Sequence, residues 1–307
     1  MVTVLSYAAI YVIWGSTFLA IRIAIGTIPP ILMMGIRCVI AGVLLLAVAS
    51  IRGEWPRWRA WADAALAGVL MFGAPYAALA WSEQRVSSGM AAMLVATLPF
   101  WLALIEWGRG MRPSPRMLAG LAIGLTGVAL LVAHGLTVPS AATPIVLIIL
   151  GELAWATASV YAQPRLPKSL LLNAGMPLTA GGVLLLMLSW SMREWPRFDP
   201  RAVSAASFMA LAYLTVFGSI VAFSAYAFLL RVAPASRVST HAYVNPLIAV
   251  ALGAGLAGEP FTASIGIAAA VIAAGVALVL SAKHASTPRE NRSLWRSVQQ
   301  TALECGR

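Results

Sequence analysis

The chain carries Arg52-Gly-Glu-Trp-Pro-Arg-Trp58 and, 140 positions later, Met192-Arg-Glu-Trp-Pro-Arg-Phe198. The text upstream repeats with it. Gly42-Val-Leu-Leu-Leu46 recurs as Gly182-Val-Leu-Leu-Leu186 at the same offset of 140, and nine of eighteen positions agree between 41–58 and 181–198. Self-similarity at half the chain length indicates a duplicated unit. What the duplication builds depends on where these segments sit.

Composition places them. Of 307 residues, 61% are hydrophobic and only 10% charged, and the mean hydropathy is +0.87. A soluble domain carries about 25% charged residues, so too few are present to wet a globular surface. The expectation is a polytopic membrane protein. The net charge of +11 then reports basic cytoplasmic loops rather than a nucleic-acid surface. Cys38 lies in an apolar segment and Cys305 near the end, which makes no disulfide framework. The N-terminal apolar stretch lacks a basic leader and is long enough to span, so it reads as the first helix rather than a signal peptide.

A spanning helix needs about 20 mostly apolar residues. Ten stretches fit: 3–25, 30–51, 62–84, 87–109, 116–134, 143–162, 170–192, 203–230, 236–257 and 262–282. Continuous apolar runs such as Ile145–Leu150 lack the alternation of barrel strands. With the N-terminus inside, cytoplasmic loops and the tail hold fifteen Lys and Arg, against four outside. That asymmetry predicts both termini in the cytoplasm. Five spans per repeat is an odd number, so the second copy enters the membrane in the opposite direction. The expected fold is all-α, with ten transmembrane helices in two inverted five-helix repeats. The first covers 1–137, the second 138–282, and 283–307 forms a basic cytoplasmic tail. Inverted repeats are a recurring plan of secondary transporters, with the substrate site between the halves.

Several segments carry a family likeness. Tyr11-Val-Ile-Trp-Gly-Ser-Thr-Phe-Leu-Ala-Ile-Arg22 is followed by Pro29-Pro30, Met34-Gly-Ile-Arg37, Ser88-Gly-Met-Ala-Ala-Met93, Leu98-Pro99, Asn245-Pro246 and Gly258-Glu259-Pro260. In that order they resemble the EamA-type drug/metabolite transporter superfamily over about residues 4–281. The resemblance implies a ten-helix exporter of amino acids or other small metabolites in the bacterial inner membrane. The first repeat departs from it. Where the second has Gly258-Glu259, the first reads Gly108-Arg-Gly-Met-Arg-Pro113, so that acid has no symmetric partner.

The repeat also aligns Trp14 with Trp155, Phe72-Gly73 with Phe217-Gly218, and Pro99 with Pro246. A proline inside a helix removes a hydrogen bond and bends the axis. Pro99 and Pro246 are therefore candidate hinges or static kinks. Glu152 is an acid near the middle of an apolar helix, where a charge costs about 2.5–3.5 kcal/mol on insertion scales. Trp155 and Ser159 share its face. Two readings of Glu152 stand: titration during transport or binding of a substrate amine, or a structural acid bonded to another helix. Arg37 is its cationic counterpart, with a pairing or snorkelling role as open as substrate contact.

Aromatic residues within the spans are candidates for the substrate wall: Trp14, Tyr76, Trp81, Trp101, Trp155 and Tyr226. Thr17 lies one turn beyond Trp14. In the fourth span Met90, Met93, Thr97 and Trp101 recur on one helical face. Methionine with aromatics makes an adaptable apolar surface, which serves either a cavity or a helix contact. His241 and Asn245 share a face as polar cavity groups or interhelical donors, with no second ligand near for a metal. Gly253-Ala-Gly-Leu-Ala-Gly258 matches a dinucleotide fingerprint, but it ends a membrane helix and follows no strand. Small residues for close packing explain it and the Gly120–Gly124 pair, although the latter could also serve a dimer contact.

The sequence thus points to a secondary transporter working by alternating access, without cofactor or metal and without an enzyme's acid/base set. Its partners are a small-molecule substrate, the lipid bilayer and, as a candidate coupling ion, the proton. Nucleic acid is excluded, and a monomer or weak homodimer is expected. The alternatives are a broad exporter of aromatic drugs or cations, a passive channel and a membrane-embedded enzyme.

Overall fold

The computed structural model describes residues 2–110, 113–135, 142–233, 235–256 and 262–281. The expected tail at 283–307 and the Gly258-Glu259-Pro260 segment lie outside the described residues. Among the described residues every regular element is helical. We number the long helices in chain order. They are α1 (Val2–Ala24), α2 (Pro30–Ile51), α3 (Ala60–Ser82), α4 (Ser88–Gly108), α5 (Pro115–Gly135), α6 (Ala142–Ala162), α7 (Leu170–Ser191), α8 (Ala205–Val232), α9 (His241–Leu256) and α10 (Ala263–Ser281). Seven of them, α1 to α4 and α6 to α8, are long and apolar enough to cross a membrane.

Three helices widen locally into π-helical turns: α3 at Val69–Gly73, α6 at Ala158–Ala162 and α8 at Leu214–Val221. α4 is interrupted at Ala96–Thr97, immediately before Leu98-Pro99, where the segment resumes with proline in its first turn. Pro99 therefore restarts a helix. Pro246 lies inside α9, which is preceded by the single turn Ala235–Val238.

The packing repeats itself. α2 packs along α7, α5 along α10, and α4 against α9. α1 lies on α8 and α9, as α6 lies on α3 and α4. The α2–α7 contact shows this at atomic scale. A Cβ on Gly35 would meet the Leu186 side chain at 2.7 Å, and one on Gly175 would meet Leu46 at 3.1 Å. Adding 140 to Gly35 gives Gly175, and subtracting 140 from Leu186 gives Leu46. Gly42 against Thr179 and Gly182 against Val39 form a second such pair. Partner numbers fall as the α2 numbers rise, so the two helices run antiparallel. α5 and α10 also run antiparallel, with Gly120 and Gly124 against Gly275 and Gly127 against Ile272. Small residues let these backbones approach where apolar side chains gain little from leaving lipid. Gly120 of the Gly120–Gly124 pair thus packs against α10 of the same chain, while a Cβ on Gly124 would meet nothing within 4 Å.

The two Glu-Trp-Pro-Arg stretches tie the same helix pair at its ends. After α2, Gly53 N–H donates to Ser50 and Glu54 N–H to Ala49; after α7, Arg193 N–H donates to Trp190 and Glu194 N–H to Ser189. This is a Schellman closure in both copies, with the residue before each Glu left-handed: Gly53 at φ 75° and Arg193 at φ 57°. A proline two positions on prevents further helix. The closure aims each carboxylate at the start of the opposite helix. Glu194 accepts from the backbone N–H groups of Ile31 (3.3 Å) and Leu32 (2.7 Å) at the head of α2, and from the Ser189 hydroxyl (2.9 Å). Glu54 accepts from the hydroxyl of Ser169, which caps α7 by accepting from Leu172 N–H. Helix starts leave N–H groups without intrahelical partners and carry partial positive charge, so a carboxylate stabilises them.

Candidate functional site

A cavity opens where helices related by the repeat come together. It holds about 570 Å³ of space between atoms, its mouth included. Trp14, Thr17, Phe18 and Ile21 line it from α1, Arg37 from α2, and Pro75, Tyr76 and Leu79 from α3. Val95 and Leu98 flank the break in α4, while Glu152 and Trp155 come from α6 and His241 and Asn245 from α9.

An aromatic cluster forms one wall. Trp14 and Trp155, aligned by the sequence repeat, meet edge to face at 5.9 Å between ring centroids. Tyr76 stacks beside Trp155 at 6.3 Å, and His241 lies edge-on to Trp14 at 4.7 Å. Hydrogen bonds fix both indoles. Trp14 Nε1 donates to the Gly218 carbonyl (3.1 Å), and Trp155 Nε1 donates to the Tyr226 hydroxyl (3.1 Å), which also pairs with Ser159 (2.9 Å). With N–H groups satisfied, the faces and edges of these rings are what the cavity presents.

Two ionisable side chains of opposite sign border the same space. Arg37 is only 2% exposed. Its Nε donates to Ser219 Oγ (2.7 Å), and its guanidinium lies 4.9 Å from the Tyr76 ring centre. The π-helical turn of α8 shapes this seat, because a Cβ on Gly218 would come within 2.8 Å of Arg37 Nη2. Glu152 is 8% exposed, sits in the middle of α6 and makes no hydrogen bond to another described side chain. Tyr76 lines the same cavity as both. His241 Nδ1 pairs with the Val238 carbonyl at 2.9 Å. The Asn245 amide, oriented to satisfy its neighbours, donates to the carbonyls of Tyr11 (3.1 Å) and His241 (2.9 Å), linking α9 to α1. Thr17 bonds back to the Trp14 carbonyl (2.6 Å).

Trp14, Thr17, Tyr76, Glu152, Trp155, His241 and Asn245 are therefore brought together from positions spread along the whole sequence. Tyr226 stands behind them as the anchor of Trp155. Trp81, Met93, Thr97 and Trp101 do not line this cavity. Trp81 lies under the Arg85 guanidinium at 3.7 Å. Met93 is fully buried in a core between α4, α6, α9 and α10. Thr97 borders a smaller pocket beside Tyr243. Trp101 packs at the edge of the main core with its buried Nε1 unbonded among the described residues. The cavity takes Val95 and Leu98 from α4 instead, so the face carrying Met90, Met93, Thr97 and Trp101 is not the one it uses, and Met93 is already buried elsewhere before the interruption at Ala96–Thr97. Arg37 and Phe18 line the cavity as well, though the sequence places neither in the candidate wall, and so do the apolar Ile21, Pro75, Leu79, Val95 and Leu98. The signal for Arg37 was a lone arginine inside an apolar span, the counterpart of Glu152.

Apolar helices wrapped around a partly polar central cavity define a polytopic helical membrane protein of the transporter class. The chain belongs to the EamA-like transporter family, whose model matches it twice, at 2–133 and 142–281. It is 37% identical over 279 residues to a protein of Escherichia coli K12 named uncharacterized inner membrane transporter YedA, covering 90% of each chain. It is 24% identical over 288 residues to uncharacterized transporter YvbV of Bacillus subtilis, covering 90% of this chain and 91% of that one. A solved crystal structure shares the fold with a TM-score of 0.69 at 19% identity, over 91% of this chain and 96% of the other.

Proposed function

We propose that the protein is a secondary transporter of the bacterial inner membrane that exports amino acids or related small metabolites. The observation that carries this is the cavity itself, lined by both members of the Trp14–Trp155 pair and by helices from each half. In this reading the chain crosses the membrane ten times, as inverted repeats 1–137 and 138–282, with both termini and the tail 283–307 in the cytoplasm. The antiparallel α2–α7 and α5–α10 contacts support the inversion. A two-fold relation in the membrane plane gives inward-open and outward-open arrangements similar energies, which is what alternating access needs. Glu152 is the candidate proton-coupling group, and Pro99 and Pro246 are the candidate hinges. The rigid aromatic wall favours an apolar or aromatic substrate body, so export of aromatic drugs or cations is the competing reading.

Counterflow in proteoliposomes tests the carrier. Vesicles are preloaded with unlabelled amino acids, nucleosides or amine drugs, with matching tracer outside. Saturable accumulation with one class is expected of a carrier. Flux without saturation or counterflow indicates a channel, and no flux from intact protein removes the transport reading. A proton role for Glu152 further requires that Glu152→Gln alter the pH dependence of transport across roughly pH 5.5–8; an unchanged profile removes it.

A further inference from the structure

We infer that Arg37 and Glu152 recognise the two ends of a zwitterion, Arg37 holding a carboxylate and Glu152 a protonated amine, with the aromatic wall receiving the remaining apolar part. The inference rests on the transport reading of the same cavity and adds what selects the substrate.

Arg37 offers the carboxylate end its seat. A guanidinium has five donors and stays charged in proteins. Here Nε is satisfied by Ser219, while Nη1 has only the Met34 sulfur at 3.7 Å. No carboxylate pairs with it among the described residues. Removing an unpaired charge from water costs several kcal/mol, and a ring face at 4.9 Å offsets only part of that. The side chain is nonetheless held in one place. Ser219 fixes one edge, the Tyr76 ring covers a face, and Gly218 provides clearance that any other residue would fill. A planar donor fork held rigidly at a cavity wall suits a carboxylate.

Glu152 complements it. Its carboxyl borders the same space from a different helix and is likewise unbonded to any described side chain. Arg37 and Glu152 form no ion pair with each other among the described residues, and Tyr76, 4.9 Å from the Arg37 guanidinium, lines the same cavity as Glu152. Each group is single. The repeat position of Arg37 is Pro177, and that of Glu152, by the Trp14–Trp155 alignment, is Tyr11. The cavity is therefore positive on the α2 side and acidic on the α6 side. A substrate with only a cationic amine would leave Arg37 uncompensated, and one with only a carboxylate would leave Glu152 so.

The test uses phenylalanine counterflow with two competitors, phenylalanine methyl ester and N-acetylphenylalanine, which lack the carboxylate and the charged amine respectively. Loss of a charge-assisted hydrogen bond predicts that each competes at least about tenfold more weakly than phenylalanine on the unaltered protein. Arg37→Gln should erase the preference over the ester and keep the preference over the acetyl compound. Glu152→Gln should do the converse. The unaltered protein decides the question even if a variant fails to fold. Equal competition by the ester or the acetyl compound there overturns the inference, as does an equal loss for all three compounds in both variants. Counterflow with amine drugs but not phenylalanine keeps the carrier and overturns the zwitterion site. No counterflow with any compound removes the carrier and the inference with it.

Discussion

Replacing Glu194 tests the reasoning about the repeated loop most directly. The carboxylate is 8% exposed and accepts three hydrogen bonds, two from the first turn of α2 and one from Ser189, itself fully buried. Hydrogen bonds to a charged group contribute about 1.5–3 kcal/mol each, and loss of a helix cap alone costs about 0.5–2 kcal/mol. The three share one acceptor, so they do not add in full. For Glu194→Ala we expect a loss of about 3 kcal/mol. Glu194→Gln keeps one carbonyl oxygen for Leu32 N–H and should lose about 1–2 kcal/mol. Glu54→Ala removes only the bond from Ser169, which still caps α7, and should cost about 1 kcal/mol. Thermal unfolding of detergent-solubilised protein at one scan rate reads the series. Three kcal/mol corresponds to a midpoint about 5 °C lower in a chain of 307 residues. An alanine variant at 194 within about 1 °C of the unaltered protein, or no worse than the one at 54, would refute the capping argument.

The same unfolding assay checks three further variants. Arg193→Gly relieves a left-handed residue at about 1–2 kcal/mol against a glycine entropy cost of about 0.5–1; the midpoint should rise slightly, and a fall would count against the φ of 57°. Gly275→Ala drives a Cβ into the backbone of α5 at Gly120 and Gly124 and should cost about 1–3 kcal/mol. Gly124→Ala meets nothing within 4 Å and should be neutral or stabilising; equal effects would mean that the α5–α10 approach is looser than described. Trp101→Phe deletes a buried N–H without a partner and should be neutral or stabilising by about 1 kcal/mol. Clear destabilisation would show that the indole nitrogen is bonded after all.

How far the sequence could be read is clearest at particular residues. The offset of 140 in the text reappears as an offset of 140 between paired contacts, Gly35–Leu186 with Gly175–Leu46. Composition and run length were enough for the seven helices long and apolar enough to cross a membrane, because lipid demands long apolar stretches. The Trp14–Trp155 alignment was visible, but not that the two rings touch, since contact depends on how the halves dock. The carboxylate of Glu194 was invisible as a cap because the Ile31 N–H it accepts from lies 163 positions earlier. Helical periodicity placed Met93, Thr97 and Trp101 on one face but could not say what that face meets, and the cavity is lined from α4 by Val95 and Leu98 instead. Arg37 carried a clear signal as an intramembrane charge, but its seat depends on the π-helical turn at Gly218-Ser219. Such turns leave little trace in a single sequence.

The tie between α2 and α7 bears on how the rest of the molecule can move. Glycine contacts join the pair along its middle, and a carboxylate fastens each end. Parting these helices at the Glu194 end would uncap the first amides of α2, and parting them at the other end would break the Glu54–Ser169 bond. In the alternating-access reading proposed above, the pair would act as a fulcrum. Exposure of the cavity to one side and then the other would fall to the helices around it, among which α3, α6 and α8 carry π-widened turns and α4 an interruption at which each can give.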